Sequence, residues 1–222
     1  MPKTAEVPLV SRFERRRRRS RDALVDAAIA LFQEKGLRRT TIEEICERAD
    51  VAPRTFFNHF ETRERLYEAI THQRAVGFAV QLEAVCRDPR PLNQRLSDFF
   101  AFVDSYLEAR PLWRELVGEM FRLRQERGGN NAVRGGVMAQ AALRFVRDGV
   151  RRGEITRRHR PEVLADIFLG AQTMAINNWC AAEKYDLKAG LSDAARALLD
   201  LFAPSADEAG NARVAGKASR KN

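Results

Sequence analysis

Apolar residues recur every three to four positions through most of the chain, and no segment alternates between apolar and polar residues over a convincing length. This spacing is typical of helices that bury one face. The first clear stripe ends at Lys35, and Gly36 follows it as a helix-ending residue. The apolar members of the stripe are Leu24, Ala27, Ala28, Leu31 and Phe32. The pattern predicts an all-α protein.

Residues 40–60 are predicted to form two short helices joined by a tight turn. Thr40 and Glu43 have the spacing of a capping box, in which two side chains bond the free backbone N–H groups at a helix start. Asp50 stands where the chain must turn, and aspartate tolerates the left-handed backbone that such a corner often needs. Pro53 suits the first position of the next helix. The segment is therefore predicted to be a helix-turn-helix, which indicates DNA binding.

The second helix of this motif has two different faces. Phe56 and Phe60 lie four residues apart and are expected to pack inward. The opposite face is short and exposed, as a helix laid in a major groove requires. This face consists of Pro53, Arg54, Phe57 and Asn58. Spacing alone leaves an ordinary helical hairpin as the alternative.

Residues 22–66 resemble the DNA-binding domain of the tetracycline-repressor (TetR) family of bacterial regulators. The residues that carry the resemblance are Ala27-Ala28, Leu31-Phe32, Gly36, Thr40-Thr41 and the run from Thr55 to Phe60. The resemblance implies a three-helix DNA-binding domain, a fourth helix that links it to a regulatory domain, and repression by occlusion of promoter DNA. The rest of the chain is similar to the family only in size, helical character and order.

Helical patterns continue after the motif and are separated by proline, glycine and asparagine residues. Thr62 is expected to cap a fourth helix that closes near Asp88. Five more helices are predicted near residues 91–109, 111–125, 132–152, 161–182 and 192–203, giving about nine in total. The predicted domains are a basic arm (1–19), a helix-turn-helix domain (20–66), a helical ligand-binding and dimerisation domain (67–203) and a disordered tail (204–222).

Composition and charge agree with a polyanionic partner. Lys and Arg number 39 against 30 Asp and Glu, so the formal net charge is +9, which suits DNA or an anionic membrane surface. Cys46, Cys86 and Cys180 form no CxxC pair, so neither a disulfide framework nor a zinc ribbon is predicted. No apolar run approaches the roughly 18 residues of a membrane-spanning helix. A cytoplasmic protein is expected.

The densest positive charge lies in residues 12–21, just before the first apolar stripe. A charge run of this kind is often only a solvated arm. Its position beside a DNA-binding domain favours contacts with phosphates or with the neighbouring minor groove. Ser11 and Glu14 could also form a capping box that extends the first helix through the arm, and the sequence leaves both conformations open. The arginines assigned to the arm are Arg15, Arg16, Arg17, Arg18 and Arg19.

Four residues on the exposed face of the second motif helix are assigned to bases. Arg54 comes first because a guanidinium pairs bidentately with guanine O6 and N7, and Asn58 comes second. Pro53 and Phe57 complete the set, with Phe57 reaching thymine methyl groups. Against the family pattern, Arg54 replaces a frequent glycine and Phe57 replaces a frequent tyrosine, which adds a base contact and removes a phosphate-binding hydroxyl.

Four further residues are assigned to phosphates, because hydroxyl groups and helix N-termini suit that role. They are Thr41, Thr55, His59 and Arg63. Arg63 takes the place of a lysine that is common in the family.

The second half of the chain holds most of the large apolar residues, which first of all form a core. The resemblance implies that some line a cavity between the fifth to eighth helices. Few ionisable groups lie among them, so a large, mainly apolar small-molecule effector is expected. The pocket candidates are Phe99, Phe102, Trp113, Phe121, Met138, Phe145, Phe168 and Met174.

The last two helices carry broad apolar faces with small residues. The family precedent is a homodimer built by these helices as a four-helix bundle, and the alternative is a hairpin buried inside one subunit. The interface candidates are Ala171, Ala175, Trp179, Leu198 and Phe202.

No catalytic residue, metal site or cofactor is predicted. His59, His72 and His159 are too scattered for a metal triad, and no nucleophile elbow, phosphate-binding glycine loop or zinc-protease helix occurs. The predicted function is a sequence-specific regulator of double-stranded DNA, a homodimeric repressor released by a small apolar ligand. A nonspecific architectural DNA-binding protein is the main alternative, followed by an enzyme with a fortuitous motif and a protein of the membrane surface.

Overall fold

The computed structural model describes residues 11–126 and 136–205, and every regular element within them is an α-helix. This confirms the predicted all-α fold. The helices of these two stretches are α1 (Arg12–Lys35), α2 (Ile42–Arg48), α3 (Pro53–His59), α4 (Arg63–Arg87), α5 (Leu92–Glu108), α6 (Pro111–Glu126), α7 (Val137–Arg151), α8 (Pro161–Ala181) and α9 (Leu187–Phe202). None of them is long and apolar enough to cross a membrane.

The chain divides into two compact units, and the boundary follows Ile70, inside α4. We call residues 11–70 the N-terminal unit and the described residues from 71 onward the C-terminal unit. The predicted break at 128–131, the predicted start of the seventh helix at 132 and most of the predicted tail lie outside the described residues.

The N-terminal unit is a three-helix domain completed by the first turns of α4. Its core consists of the apolar stripe of α1 and of large apolar side chains from the segments that follow. All of these side chains are almost completely buried. These residues are Leu24, Ala28, Phe32, Ile45, Phe56, Phe60, Leu66 and Ile70. Burying such side chains is the main stabilising term in so small a domain. The backbone of α2 and α3 is thereby fixed against α1.

The sharp turn between α2 and α3 follows the predicted backbone. Asp50 has a φ of 53°, the left-handed conformation, and is the one non-glycine residue with positive φ in the described chain. The backbone N–H of Val51 then donates to the Cys46 carbonyl at 3.0 Å. Pro53 opens α3 as its first residue. The prediction for this corner is confirmed.

The cap of α2 differs from the prediction by one residue. Thr41, not Thr40, is the N-cap: its Oγ1 accepts from the backbone N–H of Glu44 at 3.2 Å, and Glu44 Oε2 accepts from the backbone N–H of Thr41 at 2.7 Å. Thr40 is only 1 % exposed and donates its hydroxyl to the Gly36 carbonyl. Two threonines followed by two glutamates offer the same spacing twice, and burial of Thr40 selects the second pair.

This assignment predicts an acid-sensitive contribution from Glu44. A hydrogen bond from Lys35, assisted by the Thr41 backbone N–H, lowers the pKa of Glu44 to about 2. A carboxyl with a depressed pKa stabilises the fold above its ordinary value of 4.5, and this contribution is lost as the pH falls toward 2. We expect Glu44→Gln to flatten the dependence of unfolding free energy on pH between 2 and 4.5, measured by urea denaturation with circular dichroism. Glu43→Gln is the matched control. An equal flattening in that variant would instead support the capping pair of Thr40 and Glu43.

The core of the C-terminal unit is a stack of phenylalanines. Phe168 on α8 lies 6.0 Å from Phe99, 5.7 Å from Phe100 and 5.7 Å from Phe145, measured between ring centres. These rings join α5, α7 and α8. One charged side chain, Arg95, is also fully buried and bonds the Val85 carbonyl at 3.1 Å and the Glu154 carboxylate.

Helix α9 begins earlier than predicted, at Leu187 rather than Ser192. Asp186 caps it by accepting from the Ala189 N–H at 2.9 Å. Gly190 lies inside this helix, and a glycine is needed there because a Cβ at this position would collide with the Tyr185 side chain. The glycine serves this close approach and does not break the helix.

Candidate DNA-binding face and ligand-binding unit

The exposed face of α3 brings together the four residues assigned to bases. Pro53, Arg54, Phe57 and Asn58 are all exposed, and Phe57 is 52 % exposed. Phe56 anchors the helix from the inside, with its ring centre 5.4 Å from Phe57 and 5.6 Å from Phe60. An exposed aromatic ring beside a guanidinium and an amide, held on a rigid helix, is suited to reading base edges in a major groove.

His59 at the end of α3 is held by a residue that sequence patterns did not single out. Its Nε2 lies 2.8 Å from Ser20 Oγ on α1. Burial lowers the pKa of His59 below its usual range, and the charges of Arg17 and Arg21 lower it further. The ring is therefore neutral at pH 7, and only Nδ1 remains for a phosphate. A serine inside an arginine run is the signal that could have indicated this anchor.

Arg63 has an internal role in the structure. Its guanidinium donates to the Leu37 carbonyl and to the Tyr67 hydroxyl. The guanidinium carbon also lies 5.9 Å from the Phe32 ring centre and 5.6 Å from that of Tyr67. These contacts brace the N-terminal unit from the inside, and because they use two of the five guanidinium N–H groups, the phosphate role of Arg63 stays a prediction.

Thr41 and Thr55 lie at or near the starts of α2 and α3. Thr41 is exposed, and its oxygen accepts the capping hydrogen bond while its hydroxyl hydrogen can still point outward. Thr55 is half-buried. Both positions keep the phosphate assignment as a prediction.

The basic segment is helical from Arg12 onward. Ser11 and Glu14 form the capping box, with the Glu14 N–H donating to Ser11 Oγ at 3.1 Å and the Ser11 N–H to Glu14 Oε2 at 3.0 Å. Arg15, Arg16, Arg17, Arg18 and Arg19 are all exposed on this helix. Their long side chains project from the helix into solvent and can reach phosphates or a neighbouring minor groove, so both contacts stay predictions.

The predicted pocket residues lie in four different surroundings in the C-terminal unit. Phe99, Phe145 and Phe168 belong to the buried phenylalanine stack, whereas Phe121 and Met138 are half-buried. Phe102 and Trp113 belong to a set of rings that we call the aromatic cluster and define as Phe78, Phe102, Tyr106 and Trp113. Met174 is 57 % exposed, so its assignment to an interior pocket is wrong. It lies on the outward face of α8.

Most of the predicted interface residues are used inside the subunit. Ala175, Trp179, Leu198 and Phe202 are buried by their own chain and have almost no surface left for a partner, so this part of the prediction is wrong. Ala171 is half-buried. The apolar surface that α8 leaves exposed consists of Val163 (36 %), Ile167 (42 %) and Met174 (57 %). Helix α8 is apolar on more than one face, and periodicity could not tell which face is inward.

A separate groove of about 200 Å³ lies between α5 and α9. Its floor is apolar and includes Phe100 and Leu191, and Asp104 and Lys188 lie along its walls. Burial raises the pKa of Asp104, and Glu108 raises it further while Lys188 opposes the shift. Among the residues that the structure describes, no three His, Cys, Asp or Glu side chains are grouped to hold a metal ion.

Comparisons with known proteins agree on one family. The sequence model for "Bacterial regulatory proteins, tetR family" matches residues 24–70. The HTH-type transcriptional regulator TcmR of Streptomyces glaucescens is 31 % identical over 205 residues, which cover 86 % of each chain.

Solved structures show the same fold. The FadR repressor of Thermus thermophilus, in complex with lauroyl-CoA, superposes with a TM-score of 0.67 at 20 % identity over 82 % of this chain and 94 % of that one. RolR in complex with resorcinol gives a TM-score of 0.64 at 21 % identity, covering 89 % and 94 % respectively.

Proposed function

Because the chain belongs to the TetR family of bacterial transcriptional regulators, we propose that it is a dimeric repressor that releases a palindromic operator when a small molecule binds its C-terminal unit. Proteins of this family are DNA-binding regulators rather than enzymes. The observation that carries the proposal is the exposed face of α3, on which Arg54, Phe57 and Asn58 stand together over a buried Phe56. In each subunit this face reads base edges in one major groove.

Dimerisation is assigned to the exposed stripe of α8. Val163, Ile167 and Met174 follow one another at intervals of four and seven residues, which places them along one side of the helix. Large apolar side chains in such a row are unusual on a surface that stays in water. A two-fold contact would bury the same stripe of both subunits and join two chains that each carry one α3 helix.

The basic part of α1 adds affinity that does not depend on sequence. Arg17 lies one turn before Ser20 on α1, where the Ser20 hydroxyl donates to the Arg17 carbonyl at 3.1 Å, and Ser20 contacts His59 at the end of α3. Arg18 lies two residues before Ser20, about 200° around the helix. Arg17 is therefore placed to approach the phosphates that flank the α3 groove, whereas Arg18 points away from them.

We expect Arg17→Gln to weaken binding to all duplexes similarly and to reduce the salt slope, d log K/d log[salt], by about 0.9 for each phosphate that the arginine had neutralised. Binding would be titrated by fluorescence anisotropy between about 50 and 200 mM salt. Arg18→Gln removes the same charge from the far side of the helix and should reduce the slope less. Equal reductions would mean that the arginine run acts only through its total charge.

Regulation follows from a difference in ligand affinity between two states of the dimer. FadR of Thermus thermophilus and RolR were each solved with a small molecule bound. A ligand with an apolar body that binds the C-terminal unit in the DNA-free state more tightly must, by linkage, weaken operator binding by the same factor.

The proposal is tested by selecting bound duplexes from a random library at near-physiological salt. A two-fold-symmetric site with half-sites about one helical turn apart is expected, together with the mass of two chains on one duplex by analytical ultracentrifugation. Enrichment without a motif and a steep salt dependence would instead support a nonspecific architectural protein that binds through α1. Absence of duplex binding would contradict the proposal.

A further inference from the structure

Six buried side-chain polar atoms among the described residues of the C-terminal unit have no hydrogen-bond partner in the structure, and two of them lie at the aromatic cluster. These two are the Nε of Arg74 on α4 and the hydroxyl oxygen of Tyr106 on α5. Buried donors of this kind are normally paired. Each is therefore a place where a bound molecule could supply the missing acceptor.

The aromatic cluster brings these two groups to the same place. The Tyr106 ring centre lies 5.1 Å from that of Phe78, 6.1 Å from that of Phe102 and 6.2 Å from that of Trp113. The guanidinium carbon of Arg74 lies 5.2 Å from the centre of the Trp113 ring. Trp113 is thus a neighbour of both residues that carry an unpaired atom.

The cluster combines an apolar wall with a charge. Phe78, Phe102 and Tyr106 are only half-buried, so part of each ring surface remains open to another planar group, whereas Trp113 is buried. Edge-to-face contacts such as that between Phe78 and Tyr106, at an interplanar angle of 82°, already order the rings. The guanidinium of Arg74 supplies the positive charge. Its Nε–H and the tyrosine O–H are donors that a negatively charged group of a ligand can satisfy.

We propose that the effector is an aromatic acid, whose ring packs in the aromatic cluster and whose carboxylate or phenolate accepts hydrogen bonds from Arg74 and Tyr106. This inference rests on the proposed function in one respect, that a small molecule binds the C-terminal unit. It changes the expectation drawn from the sequence, which gave the effector a mainly apolar character. The apolar body is retained, and one negative charge is added to it.

The groove between α5 and α9 is the competing site. It holds the buried carboxylate of Asp104, which disfavours an anion, but also Lys188, which attracts one. An anionic probe could therefore bind at the aromatic cluster or in this groove, and substitutions at each site are needed to show which one it occupies.

The test uses the full-length protein and two probes of nearly equal shape, 2-naphthoate and the neutral 2-naphthamide, titrated by calorimetry. Naphthoate is expected to bind at least tenfold more tightly than naphthamide. Arg74→Gln should abolish that difference, and Tyr106→Phe should reduce it severalfold while leaving the ring in place. Arg110→Gln is the matched control, since Arg110 stacks on the Tyr106 ring at 4.2 Å but is exposed and donates to a backbone carbonyl.

A positional readout keeps the test informative if a variant is unstable. In the Trp179→Phe protein the indole N–H resonance of Trp113 is the only one of its kind, and naphthoate should shift it. Equal affinity for the two probes, or loss of naphthoate binding in Lys188→Gln instead of Arg74→Gln, would overturn the inference. The duplex selection is independent of these titrations. If the protein binds an operator but does not prefer naphthoate, the proposed function stands and the aromatic-acid effector is rejected. If it prefers naphthoate but binds no operator, the effector site stands and the proposed function is rejected.

Discussion

Replacing Phe168 by alanine is expected to lower the free energy of unfolding of the C-terminal unit by about 3–5 kcal/mol, the usual cost of removing a buried phenylalanine. Phe168 has no exposed surface, and its ring contacts those of Phe99, Phe100 and Phe145. Alanine would leave a cavity where α5, α7 and α8 meet. The destabilisation therefore contains both the transfer term of the missing ring and the cost of the space it leaves.

The measurement is simple because both tryptophans, Trp113 and Trp179, lie in the C-terminal unit. Their fluorescence during urea denaturation reports that unit alone. Val80→Ala is the control in the same unit, and because Val80 is 57 % exposed and lies outside the α8 stripe, it is expected to change the free energy of unfolding by no more than about 0.5 kcal/mol. Similar destabilisation in both variants would contradict the assignment of Phe168 to the core of this unit.

Helix α8 also shows where sequence reasoning reaches its limit. Its apolar residues recur on more than one side, so the pattern identifies a helix and leaves open which residues point inward. The structure buries Trp179 and exposes Met174, the reverse of the roles that the sequence suggested for a dimer face and a pocket. Only the packing of neighbouring helices decides this, and periodicity contains no information about neighbours.

The helix-turn-helix could be predicted almost completely, because its signals are local. Asp50 at a left-handed corner and Pro53 at a helix start act through their own backbone geometry. The anchors of the motif were not predictable in the same way. Ser20 meets His59 across 39 positions of sequence, and Arg63 reaches the Leu37 carbonyl across 26, so both contacts depend on the tertiary fold.

Removing the side chain of Arg54 is expected to cost about 1–3 kcal/mol of operator binding for each half-site, and thus about 2–6 kcal/mol for a symmetric dimer. Arg54 is exposed one position after the proline that opens α3, on the same face as Phe57 and Asn58. A guanidinium there can donate to both O6 and N7 of one guanine. Its removal abolishes a bidentate contact and also the discrimination against the other three bases at that position.

The decisive readout for Arg54→Ala is therefore base preference as well as affinity. The variant would be carried through the same duplex selection, and the expected result is a site unchanged except for one relaxed position in each half. Arg48→Ala is the matched control, because it removes a charge from α2 that is exposed and paired with Glu34 at 2.5 Å. It should keep the full site. If Arg54→Ala weakened all duplexes alike and preserved the site, Arg54 would be a phosphate contact, and base reading would pass to Asn58 and Phe57.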